Sequence, residues 1–398
     1  MRIALNAWFI NQPATGSGQY LTHLLAEYGA RYAQHKFLLC EHASHAKTPR
    51  SPNSTDRPAS ITPLDALEQP TSCFERQILR TPFDGYSRHL AKLWFEQVSF
   101  PHACRRWGPD AIHVPYWASP LFSPPPTVVT VHDLIPVLLP GYRGGPSGRL
   151  YTYLVTQSAR RAAYVLTDSQ VSRQDIVRHL HIPPHRVKAI HLAADDRFRP
   201  VRDPRILEQV RCKYALPSCY MLYLGGFDVR KNVTGTLRAF ARLDIREADL
   251  VIAGRLPRQD SDSYPDPRPI AGELNILDRV RFTGWVDKDD KPALYSAAIA
   301  FLFPSYYEGF GLPPLEAMAC GTPVIVSDRG SLPEVVGAAG LCIDPDDVSA
   351  LAWAMHLVVS DTTLHEELQR ASLAQARRFS WQRTAQATMA AYRRVAPR

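Results

Sequence analysis

Two glutamates, Glu308 and Glu316, stand with seven residues between them in the string PSYYEGFGLPPLEAMACGTPVIVSDRGSLPEVVGA, which begins at Pro304. Gly309, Phe310 and Gly311 follow the first glutamate; Leu312, Pro313 and Pro314 lead towards the second. Glycines let a backbone reach φ > 0 and approach a ligand closely. Proline suits the first turn of a helix, where its missing N–H is no loss. The string therefore predicts a loop that becomes a helix, with the N–H groups of residues 310–314 pointing at one spot. Such a spot suits a phosphate or diphosphate, through unpaired donors and the helix dipole together. Carboxylates repel phosphate, so the flanking glutamates are read as acceptors for hydroxyl groups. A ligand with hydroxyls on both sides of a diphosphate is a nucleotide sugar.

A second group of charged residues lies in GGFDVRKN, residues 225–232, directly after the apolar run YMLYL. Arg230 can engage phosphate bidentately, and Lys231 supplies a compact positive charge. Both strings resemble the donor-binding signature of the retaining glycosyltransferases of family 4, which have the GT-B fold: α/β, with two Rossmann-like domains facing across a cleft. The resemblance takes in residues 322–327 and the SLPEVVG turn, extends over nearly the whole chain, and is densest from 220 to 340. It implies that Arg230 and Lys231 clamp the donor diphosphate with Gly309, Phe310, Gly311 and Leu312, that Glu308 orients the sugar, and that Glu316 binds the ribose. Some members carry a further arginine beside the first glycine; here Gly226 occupies that region, so the clamp rests on Arg230 and Lys231.

Three motifs in the first half fit the same resemblance. TGSGQY, residues 15–20, follows the first apolar run. It lacks the third glycine of a dinucleotide fingerprint. The family's glycine loop implies Gly16 and Gly18 at the donor, with Gln19 and Tyr20 bordering the acceptor; a plain tight turn is the competing explanation. HDLIP, residues 132–136, ends the run 127–131. The family places a histidine here against the donor sugar, which puts His132 in the site and Asp133 on the acceptor side. TDSQVSRQDI, residues 167–176, is read as a helix cap at Ser169 or Ser172. Asp260 and Asp262 form a DxD string, read as a solvated turn, and no metal or cofactor is expected beyond the nucleotide-sugar substrate.

Elements must position these residues. Short β-branched runs alternate with helical patterns, which predicts parallel sheets. Expected strands are residues 3–7, 37–40, 111–114, 127–131, 164–167 and 187–190, then 220–224, 250–253, 280–283, 299–302 and 323–326. Residues 46–70 and 257–269 read as loops, the first of them mobile. The expected domains are 1–200 on the acceptor side and 201–380 for the nucleotide sugar, with a final helix within 381–398 packing back on the first. Residues 74–98 mix basic and large apolar side chains, which fits an interfacial membrane face or a core-packed helix with a basic outer side.

Composition bounds the rest. The chain has 398 residues, 45% hydrophobic and 21% charged, enough for two ordinary soluble domains. No apolar run approaches the roughly 20 residues that span a bilayer. Seven cysteines are scattered with no CxxC pair, which indicates neither a zinc site nor a disulfide framework and fits the cytoplasm. Net charge is +8, favouring anionic partners. No nucleic-acid motif appears, leaving a nucleotide-sugar donor, a glycan or lipid-linked glycan acceptor, and peripheral contact with an anionic membrane face. The implied reaction is retaining, metal-independent sugar transfer. GDP-mannose is the first donor considered, for surface-polysaccharide or glycolipid assembly. Alternatives are a sucrose-type synthase of the same fold and a non-catalytic nucleotide-sugar-binding subunit. An NAD-dependent dehydrogenase lacks its fingerprint.

Overall fold

A computed structural model describes residues 1–12, 15–43, 73–123, 126–244 and 247–397. The loop expected over 46–70 lies outside them. The chain forms two compact units: Met1–His191 with Trp381–Arg398, and Leu192–Ser380.

The first unit holds strands β1 (Arg2–Asn6), β2 (Lys36–His42), β3 (Phe74–Leu79), β4 (Ala111–Val114), β5 (Thr127–Thr130), β6 (Tyr164–Thr167) and β7 (Val187–Ala189). The second holds β8 (Tyr220–Leu224), β9 (Asp249–Ala253), β10 (Val280–Gly284), β11 (Ala300–Phe303), β12 (Val324–Ser327) and β13 (Leu341–Ile343). The spatial orders are β3-β2-β1-β4-β5-β6-β7 and β10-β9-β8-β11-β12-β13. Neighbours pair in parallel, as β1 with β2 and β4, and β8 with β9 and β11. Parallel pairing demands crossovers, and helices on both faces bury the sheet. That is why β4, β5, β6, β8, β11 and β12 are buried end to end.

All eleven expected runs are strands. The two unexpected ones sit at sheet edges. β13 has only three residues. In β3, FERQIL, only Phe74 is buried, so its charges carry no alternation a pattern search could use; charged edges also discourage further pairing. Residues 74–98 are thus an edge strand followed by the helix Arg88–Trp94 and a π turn at Phe95–Ser99, rather than one helical face. The 257–269 loop is shorter than expected, because a helix begins at Pro267.

In each sheet the order reverses beside the first strand, between β1 and β4 and between β8 and β11. Crevices at the carboxyl ends of such strands receive ligands in open α/β folds. The last helix, Trp381–Val395, belongs to the first unit. It buries Trp381, Thr384, Ala385, Thr388, Met389 and Tyr392, the spacing of one helical face. The Tyr392 hydroxyl pairs with Tyr28 Oη at 3.0 Å and His113 Nδ1 at 2.6 Å. His113 Nε2 lies 2.9 Å from Thr130 Oγ1, whose hydroxyl donates to Tyr20 Oη at 3.3 Å.

Candidate functional site

The reversal in the second sheet brings together what the sequence keeps 77 residues apart. After β8 the chain passes Gly225 and Gly226 into a tight turn at Val229–Lys231. Asn232, at φ 54°, caps the next helix by accepting from Gly235 N at 3.1 Å, and its amide donates to Pro345 O at 2.8 Å. This fixes the turn, so the asparagine of RKN has a structural duty. After β11 the backbone returns beside it: Tyr306 N donates to Arg230 O at 2.8 Å.

Arg230 Nη1 donates to Tyr307 O at 2.6 Å and to Glu308 Oε1 at 2.8 Å. Lys231 Nζ donates to the same Oε1 at 2.7 Å and lies 4.6 Å from the centre of the Phe303 ring. Asp228 lies 3.3 Å from Arg230 Nε. The side chains of Arg230, Lys231 and Glu308 are only 11%, 14% and 12% exposed. Burial works to raise the Glu308 pKa, but the charges of Lys231 and Arg230 outweigh it, so the carboxyl is held below its ordinary value. The basic pair and Glu308, assigned above to opposite partners, thus form one ion cluster with each other.

The turn after Glu308 is held from the side. Ser331 Oγ donates to Phe310 O at 2.6 Å and lies 2.9 Å from Glu308 O, and Ser331 N donates to Glu308 O at 3.3 Å. Gly330, at φ 61°, packs so close that a Cβ would stand 3.0 Å from Glu308 N. Gly311, at φ 111°, precedes the helix Leu312–Ala319. Of residues 310–314 only Phe310, Gly311 and Leu312 carry an N–H, because Pro313 and Pro314 have none; the expected five-residue array is a three-residue one. Glu316 lies inside that helix, 8% exposed, and accepts from Tyr295 Oη at 3.2 Å. Burial pushes its pKa up to about 7, against the opposing pull of Lys291 and Lys288.

In the first unit, His132 follows β5. Its Nδ1 lies 2.7 Å from Asp168 Oδ2 and its Nε2 3.2 Å from Pro115 O. Burial would lower the His132 pKa, but Asp168, with Asp133 and the Pro115 carbonyl, raises it. Both ring nitrogens are thereby held against oxygen acceptors, which fixes the plane of the imidazole. Asp133 Oδ1 accepts from Ile135 N at 3.0 Å, starting the short helix that follows.

The glycine loop divides. Gly16 begins a helix in open space, whereas a Cβ on Gly18 would stand 2.1 Å from Gln12 O; close packing within the loop already requires that glycine. Gln19 is half-buried. Tyr20 is 2% exposed and lies edge-on to His132, ring centres 5.2 Å apart. It does not border an open acceptor space, because helix spacing turns it into the core. Ser169 caps its helix by accepting from Ser172 N. Asp260 and Asp262 are exposed, and Asp260 accepts from Asp266 N at 2.8 Å. Among the described residues, no three His, Cys, Asp or Glu side chains are grouped to hold a metal ion, and no helix is long and apolar enough to cross a membrane.

Sequence reasoning missed Asp168, Gly330 and Ser331. Ser331 and Gly330 were visible inside the SLPEVVG region, but only the fold sets them against Glu308. Asp168 lies 36 positions from its histidine, and no local pattern links them.

Residues 215–375 match the family described as Glycosyl transferases group 1, and residues 15–198 the family described as Glycosyltransferase Family 4. The chain is 35% identical over 276 residues to the O-antigen chain mannosyltransferase B of Escherichia coli, covering 67% of this chain and 70% of that protein. It is 31% identical over 285 residues to the serotype-specific mannosyltransferase WbdA of Escherichia coli, covering 68% of this chain but only 33% of that longer protein. Among solved structures, sucrose-phosphate synthase from Thermosynechococcus elongatus superimposes with a TM-score of 0.73 at 24% identity, over 99% of this chain and 98% of that one.

Proposed function

From the premise that this chain belongs to the glycosyltransferases of family 4 and has the GT-B fold, we propose that it moves a mannosyl group from GDP-mannose to an acceptor hydroxyl, with retention of anomeric configuration and without a metal ion. The observation that carries this reading is the buried cluster of Arg230, Lys231 and Glu308 at the β8/β11 reversal, beside the N–H groups that open the helix Leu312–Ala319. The choice of mannose is supported by the names of two relatives, an O-antigen chain mannosyltransferase and a serotype-specific mannosyltransferase. The likeness to sucrose-phosphate synthase supports the fold alone.

The chemistry follows from charge. As the bond from the sugar C1 to the phosphate oxygen breaks, negative charge develops on the β-phosphate. Preorganised donors aimed at developing charge are a large catalytic term. Arg230 and Lys231, held in place by Glu308, would share their N–H groups with that phosphate, joined by the amides of Gly311 and Leu312. The bond from C1 to the acceptor oxygen forms on the face the leaving group vacates, and the acceptor proton passes to the departing phosphate oxygen. No covalent nucleophile is assigned. Glu308 would orient sugar hydroxyls, and Glu316 would accept from the ribose. In the first unit His132, oriented by Asp168, would contact the donor sugar, as would Gly16. We place the enzyme at the cytoplasmic face of a membrane, acting on a glycan or lipid-linked glycan.

Incubation with GDP-mannose, GDP-fucose, UDP-glucose and UDP-galactose tests the proposal. The expected result is thermal stabilisation and slow donor hydrolysis with GDP-mannose, unaffected by EDTA, and an axial product linkage by NMR once an acceptor is found. Activity abolished by EDTA and restored by Mg²⁺ or Mn²⁺ removes metal independence. Turnover of a UDP-sugar alone replaces the donor.

A further inference from the structure

Between Asp133 and Asp168 the chain carries four arginines, Arg143, Arg149, Arg160 and Arg161, and no carboxylate. Surface helices ordinarily intersperse the two signs three or four residues apart. The helix Pro146–Arg161 does not. Arg149, Tyr153, Thr156 and Arg160 recur on one of its faces by helical spacing, while Val155, Ser158 and Ala159 face the core. Against that outer face lies a cavity of about 410 Å³, lined by Arg143, Arg149 and Arg160 together with Thr152, Thr156 and Gln157.

No acidic residue lines this cavity. Arg160 Nε donates to Leu180 O at 2.8 Å, which anchors its guanidinium. Arg143 and Arg149 have no ion pair or side-chain hydrogen bond among the described residues. Three cations lining one cavity with no carboxylate among its walls make it positively charged, which favours an anion there. Guanidinium groups match the paired oxygens of a phosphoryl group, and the threonine hydroxyls and Gln157 amide add further donors. The volume far exceeds that of a lone tetrahedral anion. Val137 and the 59% exposed Tyr153 supply an apolar wall for whatever carries it.

We propose that this cavity is an anion subsite that takes a phosphoryl group carried by the acceptor. The word acceptor rests on the glycosyltransferase reading; the phosphoryl group does not. Calorimetric titration with inorganic phosphate tests it, using the full chain in an Arg230→Ala/Lys231→Ala background that removes the cations of the donor cluster. Saturable binding is expected there, weakened at least tenfold when Arg143→Gln and Arg149→Gln are added, with an unchanged melting temperature. If the background variant does not fold, the same pair of glutamines is compared in the parent chain. Co-sedimentation separates the sources. Capture by phosphatidylglycerol vesicles but not phosphatidylcholine vesicles, lost with the two glutamines and competed by phosphate, assigns a lipid headgroup. Phosphate binding without vesicle capture assigns a soluble acceptor. Absence of saturable phosphate binding, or binding unaltered by the two glutamines, overturns the subsite. Neither readout involves sugar transfer, so failure here leaves the proposed reaction standing, and failure to transfer sugar leaves the subsite standing.

Discussion

Glu308 accepts both Arg230 and Lys231 on one oxygen, and shared partners make their contributions interdependent. Arg230→Ala and Lys231→Ala should each lower kcat by about 100- to 1,000-fold, the usual effect of losing a charged transition-state contact. The double variant should fall well short of the product of the two, which steady-state kinetics of all three variants would read. Because both side chains are largely buried, rather than on an exposed loop, each truncation also removes a counterion from Glu308 and should cost about 1–3 kcal/mol of stability. The two glutamates respond to pH in opposite senses. The pKa of Glu308 is lowered on folding, so its contribution to stability is present above the unfolded value and is lost as pH falls through the folded one. The pKa of Glu316 is raised to about 7, from roughly 4.3 when unfolded. Its contribution is therefore full below the unfolded value and disappears as pH rises towards about 7. Glu316→Gln should flatten the decline of denaturation midpoint across that window. If ribose hydroxyls bind the carboxylate, binding a nucleoside diphosphate near pH 6.5 should release a proton. Calorimetry in two buffers of different ionisation enthalpy would detect it, and Glu316→Gln should abolish it. Equal apparent enthalpies in both buffers with the parent chain would remove Glu316 from the ribose.

At the scale of elements, the turn from Glu308 to Gly311 is shaped by a neighbour from elsewhere in the chain. Ser331 holds two of its carbonyls, and Gly330 leaves no room for a side chain against Glu308. Gly330→Ala imposes a left-handed conformation on alanine, at roughly 1–2 kcal/mol, and pushes on the Glu308 backbone. Donor KM should rise about tenfold or more while far-ultraviolet circular dichroism stays unchanged; an unaltered KM would mean the turn holds without this support. The same elements show what the sequence could and could not reveal. Central strands such as YMLYL and TVVT were legible because parallel sheets bury both faces and leave continuous apolar runs. The loop-to-helix turn at Gly311 was legible because glycine and proline constrain the backbone directly. The edge strand FERQIL was not, since a strand buried at one residue has no hydrophobic period. Nor was the joining of Lys231 to Glu308, or of His132 to Asp168, because strand order, not spacing along the chain, creates those contacts. Tyr20 was misplaced for a related reason: its position beside two glycines suggested a loop, whereas the helix has already begun and its third and fifth residues, Gly18 and Tyr20, are buried.

At the scale of the whole molecule, the first unit is assembled from both ends of the sequence. Its last helix contributes Trp381, Met389 and Tyr392 to the core, each worth about 1.5–3 kcal/mol if fully buried. It also supplies one link in the buried polar chain from Tyr28 through His113 and Thr130 to Tyr20. Burial pushes the His113 pKa down to about 3, so this ring enters as a neutral acceptor or donor. A chain ending at Ser380 should lose the melting transition of the first unit and keep that of the second, as domain-resolved calorimetry would show; adding a peptide of residues 381–397 should restore part of it. A ribosome builds these parts in the least convenient order. At roughly 5–20 residues per second, the last strand of the first unit, β7, is made on the order of 10 to 40 s before the helix that completes the unit. That interval is the time taken to synthesise the second unit, Leu192–Ser380. Every newborn copy thus passes through a stage in which Tyr28 and His113 have not yet met Tyr392. A message truncated between codons 192 and 380 yields a product that has every strand of the first unit and lacks the helix that covers Tyr28 and His113.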